Sequence, residues 1–265
     1  MPDPARPRGL GIAAGLDPEA ARALAKRCAD RGYRSLWSND HPMASGLETA
    51  AEFAGAAPGL ELGVAVMALD RHRPEDVAAK IGEVGIDPGR LWAGFGAGFS
   101  KRPLTAMREG LEALRAALPA ESKIVIAAMG PKMCAFAGEV ADGAFLNWMT
   151  PERAAWARER VHEGAGAAGR EPPPVFGYVR VAVGADAPER LLKEESFYRE
   201  LHAGYANHFA SLGAAPGTVG VAAADPDGVT AELDRYDAID HVVVRALAHA
   251  DADSLGAVAD AAAPA

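Results

Sequence analysis

Short apolar runs alternate with longer segments of 3.6-residue periodicity along this chain, and that alternation constrains the fold more than any other feature. LGIAAG (10–15) reads as a strand and DPEAARALAKRCADRG (17–32) as a helix, with Asp17 placed to cap it, Pro18 suited to its first position and Gly32 to its end. SLWS (35–38) is a strand and GLETAAEFAGAA (46–57) a helix. LELGVAVM (60–67) is a buried strand, followed by a helix from Pro74 to about Val84. RLWAGFGAG (90–98) is a strand ending in glycines, and RPLTAMREGLEALRAAL (102–118) is a long helix. Beyond Glu121 come the strand KIVIAA, the helix PKMCAFAGEVA, the strand GAFLNW and the helix PERAAWARERVHEGAGAAG. VFGYVRVAVG (175–184) is a strand, Pro188 to about Leu212 reads as one or two helices, VTAELDRYD is helical, and HVVVRA (241–246) makes the last strand.

Eight strands, each followed by a helical segment, in 265 residues match the roughly 250 residues of a (β/α)8 barrel. The alternation predicts a single-domain (β/α)8 TIM barrel rather than an open doubly wound sheet. No linker or shift in composition divides residues 1–265, so one domain is expected, with the Ala-rich tail from Asp251 as a short helix on the barrel. A formal charge of −9 argues against a nucleic-acid partner, which needs a clustered basic face, but leaves room for a small anionic ligand. Cys28 and Cys134 read as buried free thiols of a reducing compartment. The start, MPDPARPRGLGIAAG, lacks the apolar core of a signal peptide, and no run approaches the roughly 20 apolar residues of a membrane helix. A cytoplasmic protein with a small-molecule substrate is expected.

In such barrels the working groups lie at the C-terminal ends of the strands. IAAMGPKMCAFAGEV turns from strand to helix at Gly130-Pro131-Lys132, where free N–H groups, the positive end of the helix dipole and a lysine make an anion seat. The same residues also make an ordinary helix start with a solvent lysine, and spacing alone leaves both readings open. Gly94-Phe95-Gly96-Ala97-Gly98 is either a tight turn or bare backbone against which a flat ring or ribityl chain can lie. Asp40-His41 is either a proton donor with its orienting partner or a local cap. The remaining histidines, at 72, 162, 202, 208, 241 and 249, show no His-x-His or His-x-x-x-His pairing, so no metal site is expected. Nor does any Gly-x-Ser-x-Gly arrangement point to a serine nucleophile.

Several segments together resemble the bacterial luciferase-like superfamily of flavin- and coenzyme F420-dependent oxidoreductases, within it the branch containing methylenetetrahydromethanopterin reductase. They are GYRSLWSNDHP, LELGVAVMALDRHRPEDVAAKI, GRLWAGFGAG, KRPLTAMREGLEALRAAL and, most specifically, IAAMGPKMCAFAGEVADGAFLNWMTPE, in register over most of the chain. The resemblance implies a hydride-transferring enzyme using coenzyme F420, or alternatively an FMN-dependent reductase or monooxygenase, and a homodimer. A third alternative is a family member that binds a flavin without catalysis. It implies a bulged third strand with a non-proline cis peptide at Ala65-Val66 that, with Met67, lies against the ring. Gly96 and Gly98 would line the ring and ribityl chain, Ala128, Met129, Gly130 and Lys132 would hold the phosphate, and His41 with Asp40 would sit near the reacting edge. Two departures stand out. Phe99 replaces the acidic residue that deazaflavin-using members often carry, and Leu118–Lys123 is only a short link between the fourth helix and fifth strand where members commonly carry a covering insertion, so a more open pocket is expected.

Overall fold

The computed structural model describes residues 6–264; the part of the proline-bearing start that falls on residues 1–5 lies outside the described residues. The elements run β1 (Arg8–Ile12), α1 (Pro18–Asp30), β2 (Ser35–Ser38), α2 (Gly46–Ala56), β3 (Glu61–Ala68), α3 (Pro74–Val84), β4 (Leu91–Gly96), α4 (Pro103–Ala117), β5 (Lys123–Ala128), α5 (Pro131–Val140), β6 (Gly143–Asn147) and α6 (Pro151–Ala167). Then follow β7 (Val175–Val183), α7 (Ala187–Leu201), α8 (Ala203–Leu212), β8 (Val221–Ala223), α9 (Val229–Asp234), β9 (His241–Ala246) and α10 (Ala252–Ala261). Strands β1 to β7 pair in sequence order, and β9 closes the ring between β7 and β1, all in parallel. The result is the closed eight-stranded (β/α)8 barrel predicted from the alternation. The link from α4 to β5 is as short as the sequence indicated. Strand β8 is an annex to the outer end of β7, of three small residues that give no periodic signal.

The sequence cues for the helices hold in detail. Asp17 accepts from the N–H groups of Glu19 and Ala20 with Pro18 at the first position, and Gly32 takes a positive φ of 79° beyond the last turn. The segment from Ala187 to Leu212 is two helices, broken at His202, whose extended backbone (φ −162°) ends α7 and whose Nδ1 accepts from the Gly204 N–H to start α8. Cys28 and Cys134 are both buried and free, and burial pushes the Cys134 thiol up to about 12.

Period-two alternation divides each strand between two apolar layers. Leu10, Leu36, Leu62, Ile124, Leu146 and Val244 face outward into the main core under the helices. Trp37, Trp92, Phe145, Phe176, Tyr178 and Val243 face inward and fill the lumen. The rings interlock, with Trp37 4.9 Å from Phe145 and 5.4 Å from Phe176 between centroids. At the base of this plug Trp37 Nε1–H donates to Ser35 Oγ at 2.7 Å, and Ser35 Oγ lies 2.9 Å from His241 Nε2. The Ser35 hydroxyl, which accepts from Trp37, still has its own proton to give to Nε2 of a neutral His241 ring.

Burial, reinforced by the nearby Arg34 cation, lowers His241 from its ordinary 6.5 to about 4. Above about pH 6.5 the ring is neutral in both folded and unfolded chains; as pH falls toward 4, only the unfolded chain takes up the proton. Stability is therefore lost as pH falls through that window, by on the order of 3 kcal/mol from this group. Urea unfolding of the wild type and of His241→Gln at pH values across the window tests this: the variant should show a shallower decline.

Candidate active site

The uppermost inward positions decide what the barrel mouth can accommodate. On β3, β4 and β5 these are Ala65, Gly96 and Ala127, all small. On β6, β7 and β9 they are Asn147, Arg180 and Arg245, each two residues beyond an inward-facing Phe145, Tyr178 or Val243. One half of the mouth is thus a low wall and the other half is polar. Between them lies a cavity of about 100 Å³ lined by Ala65, Val66, Ala127, Met129, Asn147 and Tyr178, with Tyr205 of α8 over it. A larger groove of about 500 Å³ lies between the β3–α3 connection and α4, bordered by Leu69, Asp70, Ala106 and Gly110, and shares no residue with the mouth.

The low wall depends on an irregular β3. Its register against β4 shifts between Val64 and Met67, and the Ala65–Val66 peptide is cis, the bond that the resemblance implied. Gly94 permits the bulge, since a Cβ there would stand 2.5 Å from the Val64 carbonyl oxygen. A Cβ at Gly96 would instead sit 3.3 Å from Val66 Cγ2 and 3.6 Å from the Ala127 methyl, in a cradle at the wall itself. Met67 is 1% exposed and belongs to the core under the helices, so its side chain points away from the mouth; the alternation around the bulge sends it outward. Ala128 likewise buries its methyl in that outer core and presents only backbone to the cavity.

Three residues beyond Ala127, Gly130 stands at the N-cap of α5 with no side-chain cap, and Pro131 occupies the first turn. The amides of Lys132 and Met133 are left open, and a Cβ at Gly130 would meet no atom within 4 Å. Lys132 is exposed and forms no ion pair among the described residues.

Asp40 and His41 do not form the expected pair. The Asp40 carboxylate is buried, accepts the Gly46 N–H at 3.1 Å where α2 begins, and lies 2.7 Å from His72 Nε2 and 3.4 Å from Arg71. His41 is exposed in a tight turn bridged to Ala44, its Nδ1 accepting from the Met43 N–H at 3.2 Å. Adjacent residues at a strand end diverge, so Asp40 turns toward the β3–α3 connection and His41 toward solvent. Gly98 has a clear packing role: φ is +59°, and an added Cβ would fall 1.9 Å from Asp70 Oδ1, while Asp70 Oδ2 accepts from the Phe99 N–H at 2.8 Å.

The mouth is also covered rather than open. The cover comes from the β7–β8 connection, not from the short 118–123 link. Trp148, Tyr198 and Tyr205 stack edge to face at 5.2 and 5.0 Å, pinning α7 and α8 over the strand ends. Phe99 lies 5.2 Å from the His202 ring at the junction of α7 and α8. Tyr178, Tyr205, Arg180 and Arg245 were not singled out from sequence, whereas Asn147 stood out as a strand-end residue. The period-two rule applied to VFGYVRVAVG and HVVVRA would have placed Tyr178, Arg180 and Arg245 inside the barrel.

A closed parallel barrel with a bulged third strand, a small-walled mouth and an uncapped helix start beside it frames the candidate site. The profile of the luciferase-like monooxygenases matches residues 112–249, just over half of the chain. The chain belongs to that family. It is 27% identical over 185 residues to a 5,10-methylenetetrahydromethanopterin reductase of Methanolobus tindarius, a match covering 57% of each chain. The fold is shared with a coenzyme F420-dependent tetrahydromethanopterin reductase from Methanopyrus kandleri (TM-score 0.73, 18% identity, 97% and 98% of the two chains). It is shared as well with an F420-dependent secondary alcohol dehydrogenase bound to an F420–acetone adduct (TM-score 0.75, 16% identity, 97% and 99%). The oxygenating constituent of 3,6-diketocamphane monooxygenase of Pseudomonas putida, in complex with FMN, also has it (TM-score 0.68, 16% identity, 98% of each chain). Among the described residues no helix is long and apolar enough to cross a membrane, and no group of three His, Cys, Asp or Glu side chains could hold a metal ion.

Gly98→Ala should destabilise the protein by about 1–3 kcal/mol, through its left-handed φ and the overlap with Asp70. Chemical denaturation of the purified variant checks this.

Proposed function

We propose that this protein is an oxidoreductase that moves a hydride between coenzyme F420 and a small organic substrate. One observation carries the reading: the small wall of Ala65, Gly96 and Ala127 ends at Ala127, only three residues before Gly130, the uncapped start of α5. Three extended residues span roughly 10 Å, a spacing suited to a ring, a ribityl chain and a phosphate in succession. The residues present fit such a group: Gly96 is a cradle that a Cβ would fill, Gly130 has open space, and Tyr178 Oη is a buried hydroxyl without a partner.

In this reading the bound deazaflavin supplies the hydride chemistry. The β3 bulge and Gly96 bear on one face of the ring and exclude water from it. The amides of Lys132 and Met133, with the Lys132 ammonium, hold the phosphate. Burial raises Tyr178 well above its ordinary pKa and pushes Tyr205 up to about 12, so both hydroxyls keep their protons at neutral pH and act as donors. That role replaces the one expected of Asp40 and His41, which lie outside the cavity. The cavity of about 100 Å³ is smaller than the roughly 300 Å³ of ordinary cofactor pockets, so α8 and Tyr205 would have to move outward to admit a ring.

The same seat accepts FMN, which shares the tricyclic ring and the phosphate, and the Phe99 position without an acid favours that second reading. Fluorescence titration with F420 and with FMN separates the two, and binding of neither would overturn the cofactor site. Gly130→Ser is the sharper control. Its hydroxyl should cap the open amides of α5, leaving stability unchanged or raised by a few tenths of a kcal/mol, while the cofactor Kd rises at least tenfold. Lys132→Ala should weaken binding without affecting the melting temperature.

A further inference from the structure

Arg180 and Arg245 stand directly opposite each other on β7 and β9, each two residues beyond a lumen-facing residue, Tyr178 or Val243, and just behind the edge of the cavity that Asn147 and Tyr178 form. They are 2% and 8% exposed, yet among the described residues no carboxylate lies within 4.0 Å of either guanidinium. Arg8 and Arg199, by contrast, are neutralised, by Asp234 at 2.7 Å and by the fully buried Glu195 at 2.6 Å, and the half-buried Arg90 spends its donors on the backbone carbonyls of Ala54, Ala57 and Leu60. Arg180 instead donates to Asn147 Oδ1 and lies over the Trp148 ring, Cζ 3.7 Å from its centroid. Its Nε is buried without a partner, and so is Tyr178 Oη beside it. Two like charges held together in a desolvated layer repel each other, and the Trp148, Tyr198 and Tyr178 rings around Arg180 offset only part of that. The charges of both arginines bear on the Tyr178 hydroxyl, and the acid that acts on Arg180, Glu194 of α7, lies beyond ion-pair distance.

We propose that the β6–β9 half of the mouth is an anion subsite that takes the carboxylate of a small organic acid substrate, held between Arg180, Arg245 and the Tyr178 hydroxyl. The fork of a guanidinium matches a carboxylate in a bidentate pair, and the tyrosine supplies a further donor from below. This assignment rests on the reading of the opposite, small-walled half as the ring site. There the cofactor phosphate has its own seat at α5, so the arginines remain for the substrate. A planar oxyanion could also come from the cofactor, as the delocalised negative charge on the pyrimidine edge of a reduced ring.

The test uses tryptophan fluorescence and calorimetry at constant ionic strength. Pyruvate and acetate are titrated against the uncharged acetone and acetamide, first with the protein alone and then with the protein saturated with F420 or FMN. Saturable binding of a carboxylate but not of its neutral counterpart is expected. Tyr178→Phe should weaken it at least threefold without lowering the melting temperature, because in the free protein that hydroxyl bonds to nothing. Arg245→Gln and Arg180→Met should each weaken it at least tenfold. Lys132→Ala should leave carboxylate binding to the cofactor-free protein unchanged, which separates failure of this proposal from failure of the cofactor reading. Arginine variants that weaken only the reduced cofactor would assign the pair to the ring and overturn the substrate proposal. Absence of saturable carboxylate binding both with and without cofactor would also overturn it.

Discussion

The indole of Trp37 lies directly on the backbone of Gly63: a Cβ at that glycine would stand 2.0 Å from a ring carbon. Everything above depends on this contact. A Trp on β2 can fill the lumen only because the facing position on β3 has no side chain. The ring then anchors Phe145 and Phe176, and through Ser35 the neutral His241. A single methyl at Gly63 would overlap the buried Trp37 ring, overpacking of the kind that costs about 1–3 kcal/mol or more. The plug makes the barrel a solid body and confines any chemistry to the layer above it.

That layer inherits its asymmetry from the same alternation. Above the plug the chain places alanine and glycine on β3 to β5 and asparagine and arginines on β6, β7 and β9. A flat ring needs the first kind of surface, and an anion needs the second. The bulge in β3, permitted by Gly94, brings Ala65 and Val66 to the wall, while the two helices of the β7–β8 connection bring Tyr205 over it. On the proposed reading, the small-walled side would take the cofactor and the polar side its reaction partner.

Much of the architecture was legible beforehand because each barrel strand is buried on both faces and reads as an apolar run, while each helix keeps its 3.6 periodicity. Pro18, Pro74, Pro131 and Pro151 mark helix starts that the structure places within a residue or so. The Ala65–Val66 cis bond was legible only through the family resemblance. Side-chain partnerships were the weak point. Asp40 next to His41 looked like a dyad, but the partner of Asp40 is His72, distant in sequence and brought close by the β3–α3 connection. Arg180 and Arg245 were hidden inside apolar strands, where a lone arginine gives no motif. Only the paired register of β7 and β9 brings them together. The helices between Pro188 and Leu212 were legible as helices, but nothing in their periodicity says that they fold over the strand ends.

The most direct measurement is a crystal structure of the protein grown with F420 and, separately, with FMN. The ring should lie against Ala65, Val66 and Gly96, with the phosphate within hydrogen-bond distance of the Lys132 amide and α8 displaced outward. A ring bound elsewhere, such as in the outer groove beside Leu69 and Gly110, or a phosphate far from the start of α5, would contradict the account.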